Sequence, residues 1–313
     1  MTSGTCTDRV VVVTGAGGGL GREHALAFAR EGAQVVVNDV GAALDGSSSS
    51  VGPARRVVDE IVALGGVAVA NTDDIASWGG AKALVDQAVE TFGRLDVLVK
   101  NAGIVRDRTM VNLEESDWDD VIRVHLKGTF APTHHAAQHW RDRARSGEAV
   151  NGRVINTTSA SGLFGNVGQA NYGAAKAAIA AFTLITATEL ARYGVTVNAV
   201  SPRALTRMTE GIERYQAGGV PSEQGFVPLA ASNVSPLVVW LGTVGAANVT
   251  GRVFFVAGGR IAVAEGWSLG PDVDRDSSWT VPELDAVLPD LVARAAANAD
   301  MDGVRPTRVS QEG

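Results

Sequence analysis

The sequence predicts an α/β protein built on a doubly wound sheet of seven parallel strands, in one domain with a short helical C-terminal extension. Three observations predict it. Short β-branched runs alternate with helical stretches from residue 9 to about residue 260. Several of those runs are apolar without alternation, as strands covered on both faces are. Glycines stand where the intervening helices should stop. Strand–helix alternation of this kind implies right-handed crossovers and a parallel sheet.

The strands are RVVVVTG (9–15), QVVVND (34–39), VAVANT (67–72), LDVLVKN (95–101), GRVINTTS (152–159), VTVNAVS (195–201) and GRVFFVA (251–257). Helical patterns lie near 20–31, 53–64, 79–92, 116–143, 170–193 and 234–243, with Gly32, Gly65, Gly93 and Gly194 as stops. The serine-rich patch DGSSSSVG (45–52) reads as a mobile loop after the second strand. Beyond residue 270, TVPELDAVLPDLVARAAANA (280–299) starts with a threonine and an early proline and then runs amphipathically. It predicts one terminal helix with a frayed end. Residues 1–270 are therefore expected to form the domain, and 271–313 the extension.

The totals exclude several classes. At 45% hydrophobic and 19% charged, the 313 residues are those of a globular protein. A net charge of −7 argues against a nucleic-acid footprint. The one cysteine, Cys6, permits no intrachain disulfide, so a cytoplasmic location is expected. The N-terminus lacks an apolar signal core, and no run approaches the ~20 apolar residues that span a bilayer, so no membrane partner is expected.

TGAGGGLG (14–21) follows the first strand and opens the first helix. It fits Gly-x-x-x-Gly-x-Gly through Gly15, Gly19 and Gly21, with Leu20 inside the loop. Missing Cβ atoms at such a turn let a pyrophosphate approach the backbone at a helix N-terminus, the Rossmann-like arrangement. Glycines also serve tight strand–helix packing, but the position directly after the first strand favours the nucleotide. Asp39 ends the second strand, 18 positions beyond Gly21. A carboxylate there accepts hydrogen bonds from ribose hydroxyls and repels the 2′-phosphate of NADP, so NAD is the expected cofactor. Asp74 and Ile75, and Asn101 to Gly103, follow later strands at their C-terminal ends, on the cofactor's side of such a sheet.

Tyr172 and Lys176 are four apart, so on a helix they share a face. Ser159 ends the preceding strand, 13 residues before Tyr172. An alcohol being oxidised must lose its hydroxyl proton as hydride leaves carbon. A phenol with pKa ~10 is a poor base at neutral pH, and a neighbouring ammonium favours its ionised form. The chain has four lysines, Lys82, Lys100, Lys127 and Lys176, against 23 arginines. A compact ammonium with three donors suits position 176 better than a wide planar fork.

Together TGAGGGLG, NAG, S…YGAAK and VNAVSP resemble the short-chain dehydrogenase/reductases over residues ~9–260. VVVNDVG, KNAGIVRDRTM, DWDDVIRVHLKGTF and TSASGLFGNVGQANYGAAK are similar, more narrowly, to the (3R)-hydroxyacyl-CoA dehydrogenase unit of the D-bifunctional (multifunctional type two) group, the 17β-hydroxysteroid dehydrogenases type four. The resemblance implies Tyr172 as general base, Ser159 as holder of the substrate oxygen and Lys176 as pKa modifier and ribose ligand. It also implies Gly15, Gly19 and Gly21 at the pyrophosphate, Asp39 at the ribose, and Asp74 and Ile75 at the adenine. Asn101, Ala102, Gly103 and PRALT (202–206), with Ala204 and Thr206, would border ribose and nicotinamide. His125 stands where the wider family has asparagine; it either holds a relay water or satisfies a helix backbone bond. SPRA stands where the family has Pro-Gly.

No catalytic metal is expected: His135 and His139 are four apart, but no carboxylate or cysteine nearby completes a set. The stretch THHAAQH reads rather as a helix face near a subunit contact. By resemblance the long helices 116–143 and 170–193 pair between subunits, giving a homodimer or homotetramer. Segment 203–230, with Gly218, Gly219 and Pro221, reads as a mobile substrate lid. Arg106, Arg108, Arg203, Arg207 and Arg214 are CoA-phosphate candidates, or plain surface charges. The resulting expectation is NAD-dependent oxidation of a (3R)-3-hydroxyacyl-CoA in β-oxidation, sterol side chains included, with a steroid hydroxyl as second substrate. The alternatives are an NADP-dependent 3-oxoacyl reductase, which Asp39 disfavours, and a non-catalytic nucleotide-sensing scaffold, which Ser159, Tyr172 and Lys176 disfavour.

Overall fold

A computed structural model describes residues 4–41, 52–206, 208–209 and 217–305. Its strands are β1 (Val10–Thr14), β2 (Gln34–Asn38), β3 (Val67–Asn71), β4 (Val97–Lys100), β5 (Gly152–Thr157), β6 (Val195–Arg203), β7 (Val253–Ala257) and β8 (Arg260–Ala264). They form one sheet in the order β3-β2-β1-β4-β5-β6-β7-β8. The first seven run parallel, as the apolar runs predict, and β8 pairs antiparallel with β7. The eighth strand is an addition to the expected seven. It follows β7 through the tight Gly258–Gly259 link and is a partly exposed edge, so no covered apolar run announces it.

The helices are α1 (Gly19–Arg30), α2 (Gly52–Ala63), α3 (Trp78–Phe92), α4 (Glu115–Ile122), α5 (Gly128–Arg145), α6 (Ala160–Phe164), α7 (Ala170–Leu190), α8 (Ser235–Gly242) and α9 (Val281–Arg294). Gly32, Gly65, Gly93 and Gly194 all take positive φ at or just past helix ends. The loop expected at 45–52 lies outside the described residues, except Gly52, which opens α2.

Both faces of the sheet are covered, which explains the unbroken apolar strands. Val11 and Val13 pack with Leu26 and Phe28 of α1 and Val238 and Leu241 of α8. Val10 and Val12 pack on the other face with Leu84 of α3, Trp140 of α5 and Leu190 of α7. At ~25 cal/mol per Å² of apolar surface, this double burial is the main stabilising term.

Two predicted helices change shape. The single helix expected over 116–143 is α4 and α5 joined by a π-turn, Arg123–Lys127, with Pro132 inside α5. Proline cannot donate to the preceding turn, and a π-turn widens the ladder by one residue. The terminal helix stops at Arg294 instead of 299. It carries the expected cap, with Thr280 and Glu283 bonded reciprocally, but none of its residues is buried, so nothing supports the Ala-rich end. Contrary to the sequence expectation, Ala170–Tyr193 is long and apolar enough to cross a membrane by length and composition, with mean hydropathy 1.4. Here it packs against β6 and buries Lys176 and Asn171.

Candidate functional site

The strand order reverses between β1 and β4, where the chain leaves β1 toward α1 and leaves β4 toward α4. Helices on opposite faces open a crevice there, at the C-terminal ends of the strands. The predicted nucleotide residues gather on it. Gly15 takes φ +62°, and a Cβ there would lie 2.6 Å from Ala102 Cα. A Cβ at Gly21 would lie 2.2 Å from Gly15 O, so α1 sits directly against the loop. Gly19 faces Thr206, whose side chain would be 3.8 Å from an added Cβ. Leu20 packs partly buried behind the loop. α1 begins with no side-chain cap and no acidic residue in its first turn.

Among the described residues Asp39 is held by backbone donors. Gly17 N donates to Oδ2 at 2.8 Å and Gly41 N to Oδ1 at 2.7 Å. Each oxygen keeps a further lone pair for a hydroxyl. Gly17 is a functional position the glycine pattern did not single out, because its close partner, Asp39, is remote in sequence. Asp74 is differently placed: Ala76 N donates to Oδ1 at 2.9 Å, and Arg123 of the π-turn pairs with Oδ2 at 2.8 Å. Ile75 is buried beside it.

Asn101, Ala102 and Gly103 leave β4 across the crevice. Thr14 Oγ1 accepts from Asn101 N at 3.1 Å and Ala102 N at 3.3 Å, and Asn101 Nδ2 reaches Gly15 O at 3.2 Å. Thr14 is thus a second unforeseen contributor. A Cβ at Gly103 would lie 2.3 Å from His125 Cε1, so the Cε1 edge of the His125 ring abuts that backbone.

His125 sits in the π-turn, fully buried. Its Nε2 lies 2.7 Å from Ile104 O and 3.1 Å from Ile104 N, so either tautomer finds a backbone partner on that residue. The backbone partner is therefore the loop after β4, not a helix. Nδ1 is buried without a partner among the described residues. Burial, and then the Lys176 charge, push the imidazole down to about 3, so it is neutral at ordinary pH. Its ring meets the Tyr172 ring edge-on at 5.1 Å.

Ser159 caps α6, which packs along α7, the helix that carries Tyr172 and Lys176. Ser159 is extended, its Oγ accepting from Ser161 N at 3.2 Å. Lys176 Nζ donates to Thr157 O at 2.7 Å and lies 5.5 Å from the Tyr172 ring centre. Burial pushes the ammonium down to about 7. Asn171 pins the start of α7: its Nδ2 donates to Arg106 O at 3.0 Å and Asp117 O at 3.1 Å. Its neighbour relation to Tyr172 was visible, but its partners, 65 and 54 residues back, were not.

Ala204 and Thr206 follow β6 on the crevice's far side, and Thr209 Oγ1 donates to Ala204 O at 2.8 Å. Arg203 pairs with Asp302 of the C-terminal extension, and Gly303 lies against Phe164 of α6. The extension thus returns to the crevice mouth. Arg106 and Arg108 pair with Asp120 and Asp117 at 3.4 and 3.2 Å, so neither is held out for a phosphate. Arg207 and Arg214 lie outside the described residues. Gly218 and Gly219 of the expected lid pack against Leu229 and Leu205. His135 and His139 line a groove between α3 and α5 with Asp86 and Glu90; among the described residues no group of three or more ligands is arranged for a metal.

The short chain dehydrogenase family model matches residues 9–216. The hydroxyacyl-CoA dehydrogenase ChsB1 of Mycobacterium tuberculosis is 46% identical over 294 residues, covering 91% of this chain and 89% of its own. The peroxisomal multifunctional enzyme type 2 of Mus musculus is 45% identical over 233 residues, 74% of this chain and 29% of that enzyme. The crystal structure of a short chain dehydrogenase from Mycobacterium avium matches with a TM-score of 0.84 and 54% identity, covering 95% of this chain and 98% of that one.

Proposed function

The chain belongs to the short chain dehydrogenase family, and from that premise we propose that it oxidises (3R)-3-hydroxyacyl-CoA to 3-oxoacyl-CoA with NAD. One observation carries the reading: the likeness to a hydroxyacyl-CoA dehydrogenase covers 91% of this chain, crevice segments as well as nucleotide loop. The family implies a nicotinamide dinucleotide, and the cradle fits one. The uncapped start of α1 suits a pyrophosphate, and Asp39 keeps acceptor capacity for ribose hydroxyls while repelling a 2′-phosphate.

When bound, the nicotinamide supplies the hydride acceptor. Ser159 orients the substrate oxygen through its hydroxyl. Tyr172 takes the alcohol proton as the C–H hydride departs, so one proton and one hydride leave the substrate together. Lys176, one helical turn on, favours the phenolate by its charge, and its remaining donors are available to a ribose. His125 holds the loop after β4 against this group through Ile104.

A homo-oligomer is supported by exposed apolar side chains on neighbouring helices, Trp118, Phe130, Leu184 and Ile185. The lone, buried Cys6 suits a cytoplasmic enzyme.

The test is reduced-nicotinamide absorbance with NAD or NADP and matched (3R)- and (3S)-3-hydroxyacyl-CoA, with a free steroid alcohol as a further arm. NAD-linked turnover of the (3R) thioester alone is expected. Turnover only with NADP overturns the Asp39 argument. Activity on the steroid but neither thioester leaves the Ser159–Tyr172–Lys176 chemistry standing and sinks the acyl-CoA reading.

A further inference from the structure

Two arginines are sealed into the opposite end of the sheet, at the N-terminal ends of the strands. Arg9, just before β1, is 5% exposed, and Arg153, in β5, is 1% exposed. Both lie on the α1/α8 face, since Val11 and Ile155, two residues on from each, pack in that cluster. They flank β4, which lies between β1 and β5. Arg9 Nη2 crosses to Asn151 O at 2.8 Å, and Arg153 Nη1 donates to Gly152 O at 2.8 Å, so the two guanidinium groups bond successive carbonyls where the chain enters β5. Arg153 Nε also donates to Thr243 O at 3.0 Å.

Every one of these partners is a neutral carbonyl. Among the described residues neither arginine makes an ion pair. The Asp96 carboxylate attracts both guanidinium groups but touches neither: Arg94 takes its Oδ1 at 2.7 Å and Val10 N donates to its Oδ2 at 2.9 Å, so one carboxylate is shared among three arginines. Cys6, close to Arg9, is no counter-charge either, because burial raises its thiol above the ordinary value. Arg153 is pushed down by burial and by Arg9, but only to about 10, so it remains a cation at neutral pH. Arg9 Nε and Arg153 Nη2 are both buried with no partner among the described residues. A guanidinium taken out of water without a counter-charge is costly, and two that repel each other more so.

We propose that Arg9 and Arg153 hold one small monovalent anion, chloride in the cell, between their unpartnered nitrogens at the base of the sheet. Charge-assisted N–H donors from two sides suit a sphere with no directional demand. A water molecule would accept the same bonds but leave the charge uncompensated. The site is structural and stands apart from the reaction, which takes place at the other end of the strands.

Thermal unfolding in a chloride series, at ionic strength matched with methanesulfonate, tests it. A saturable rise in Tm on the order of 3–5 °C by ~100 mM chloride is expected, with kcat unchanged. Arg153→Met should melt alike in both salts, and Arg153→Lys should keep a weakened response. Should Arg153→Met not fold, the wild-type series still decides, together with bromide-soaked crystals. An anomalous peak in contact with Arg9 Nε and Arg153 Nη2 supports the site. Equal Tm in both salts, a water in place of the peak, or a peak found only at crystal-soak concentration without any chloride effect on Tm overturns it.

Discussion

Lys176 and Lys100 are both shut away from solvent, and burial lowers both ammonium groups from their ordinary value. They stand on neighbouring layers, Lys176 on α7 and Lys100 at the end of β4. Their remaining valences differ. Lys100 donates to Thr129 O at 3.1 Å and to Thr133 Oγ1, and lies over the Phe182 ring at 5.4 Å. Among the described residues Lys176 has one hydrogen bond, from Nζ to Thr157 O, against the three donors an ammonium carries. Lys100 fastens α5, whose ladder Pro132 interrupts, to the sheet. The comparison teaches that burial and residue type do not separate the lysine proposed for catalysis from a packing lysine; the hydrogen bonds each makes do.

The largest effect should come from breaking the unspent side. Lys176→Met is expected to lower kcat about 10³-fold, within the range of a lost acid–base contribution, while Tm holds or rises because a costly buried charge has gone. Lys176→Arg should recover little of it, since the wider fork cannot replace a point charge beneath the Tyr172 ring. Steady-state kinetics with a melting curve on the same samples decides. A variant that keeps turnover within a few-fold of wild type removes Lys176 from the proposed chemistry.

The same contrast separates two aspartates. Among the described residues Asp39 is held by neutral backbone donors and makes no ion pair, whereas Asp74 is paired with Arg123. Asp39→Asn should reduce kcat/KM for NAD roughly 10–100-fold, the worth of one or two hydrogen bonds to a charged group, and narrow the preference over NADP. Asp74→Asn should cost only a few-fold, because its half-exposed pair with Arg123 is worth little. Equal losses in the two variants would show that accepting capacity is not what distinguishes them.

Much of this was legible before any coordinates. Strands covered on both faces announce themselves as apolar runs, and Tyr172 and Lys176 share a helix face by spacing alone. Ser159 was read as the end of a strand that stops two residues earlier, at Thr157, and the five-residue α6 that it caps was not legible, since so short a helix depends on its surroundings. The break between α4 and α5 had one local cue, Pro132; the rest of it depends on His125 reaching Ile104. Gly17, Thr14, Asn171 and Arg123 matter through partners 22 to 87 residues distant, and no local pattern carries such pairings. The Arg203–Asp302 contact spans 99 residues and was beyond reach for the same reason.

Stability against pH sharpens the lysine comparison further. Lys176 titrates at about 7 in the folded chain and near 10.5 unfolded, so between those values the unfolded chain holds a proton that the folded one has released. Stability should therefore rise with pH across that window; the full cost is present below about 7 and gone above about 10.5. On the acid side His24 and His125, both about 3 when buried and 6.5 when free, should make stability fall as pH drops from 6.5 toward 3. Tm measured from pH 5 to 9 should climb throughout, and Lys176→Met should lose part of the climb above pH 7. Parallel curves for variant and wild type would mean that this amine is not buried as a cation.

The smallest effect is expected at the spent lysine. Lys100→Met replaces a buried amine with an apolar chain of similar reach. Thr129 O keeps a donor, since Thr133 Oγ1 bonds it at 2.6 Å, so little is left unsatisfied. Exchanging a buried charge for a packed apolar group is often neutral or favourable, so a stability change within about 1 kcal/mol and kcat within about twofold are expected. Urea unfolding and initial rates on the one variant measure both. If Lys100→Met instead lost turnover on the scale of Lys176→Met, the bonds from Lys100 to α5 would belong to the reacting assembly. Position at the crevice would then matter less than the continuity of the buried polar layer beneath it.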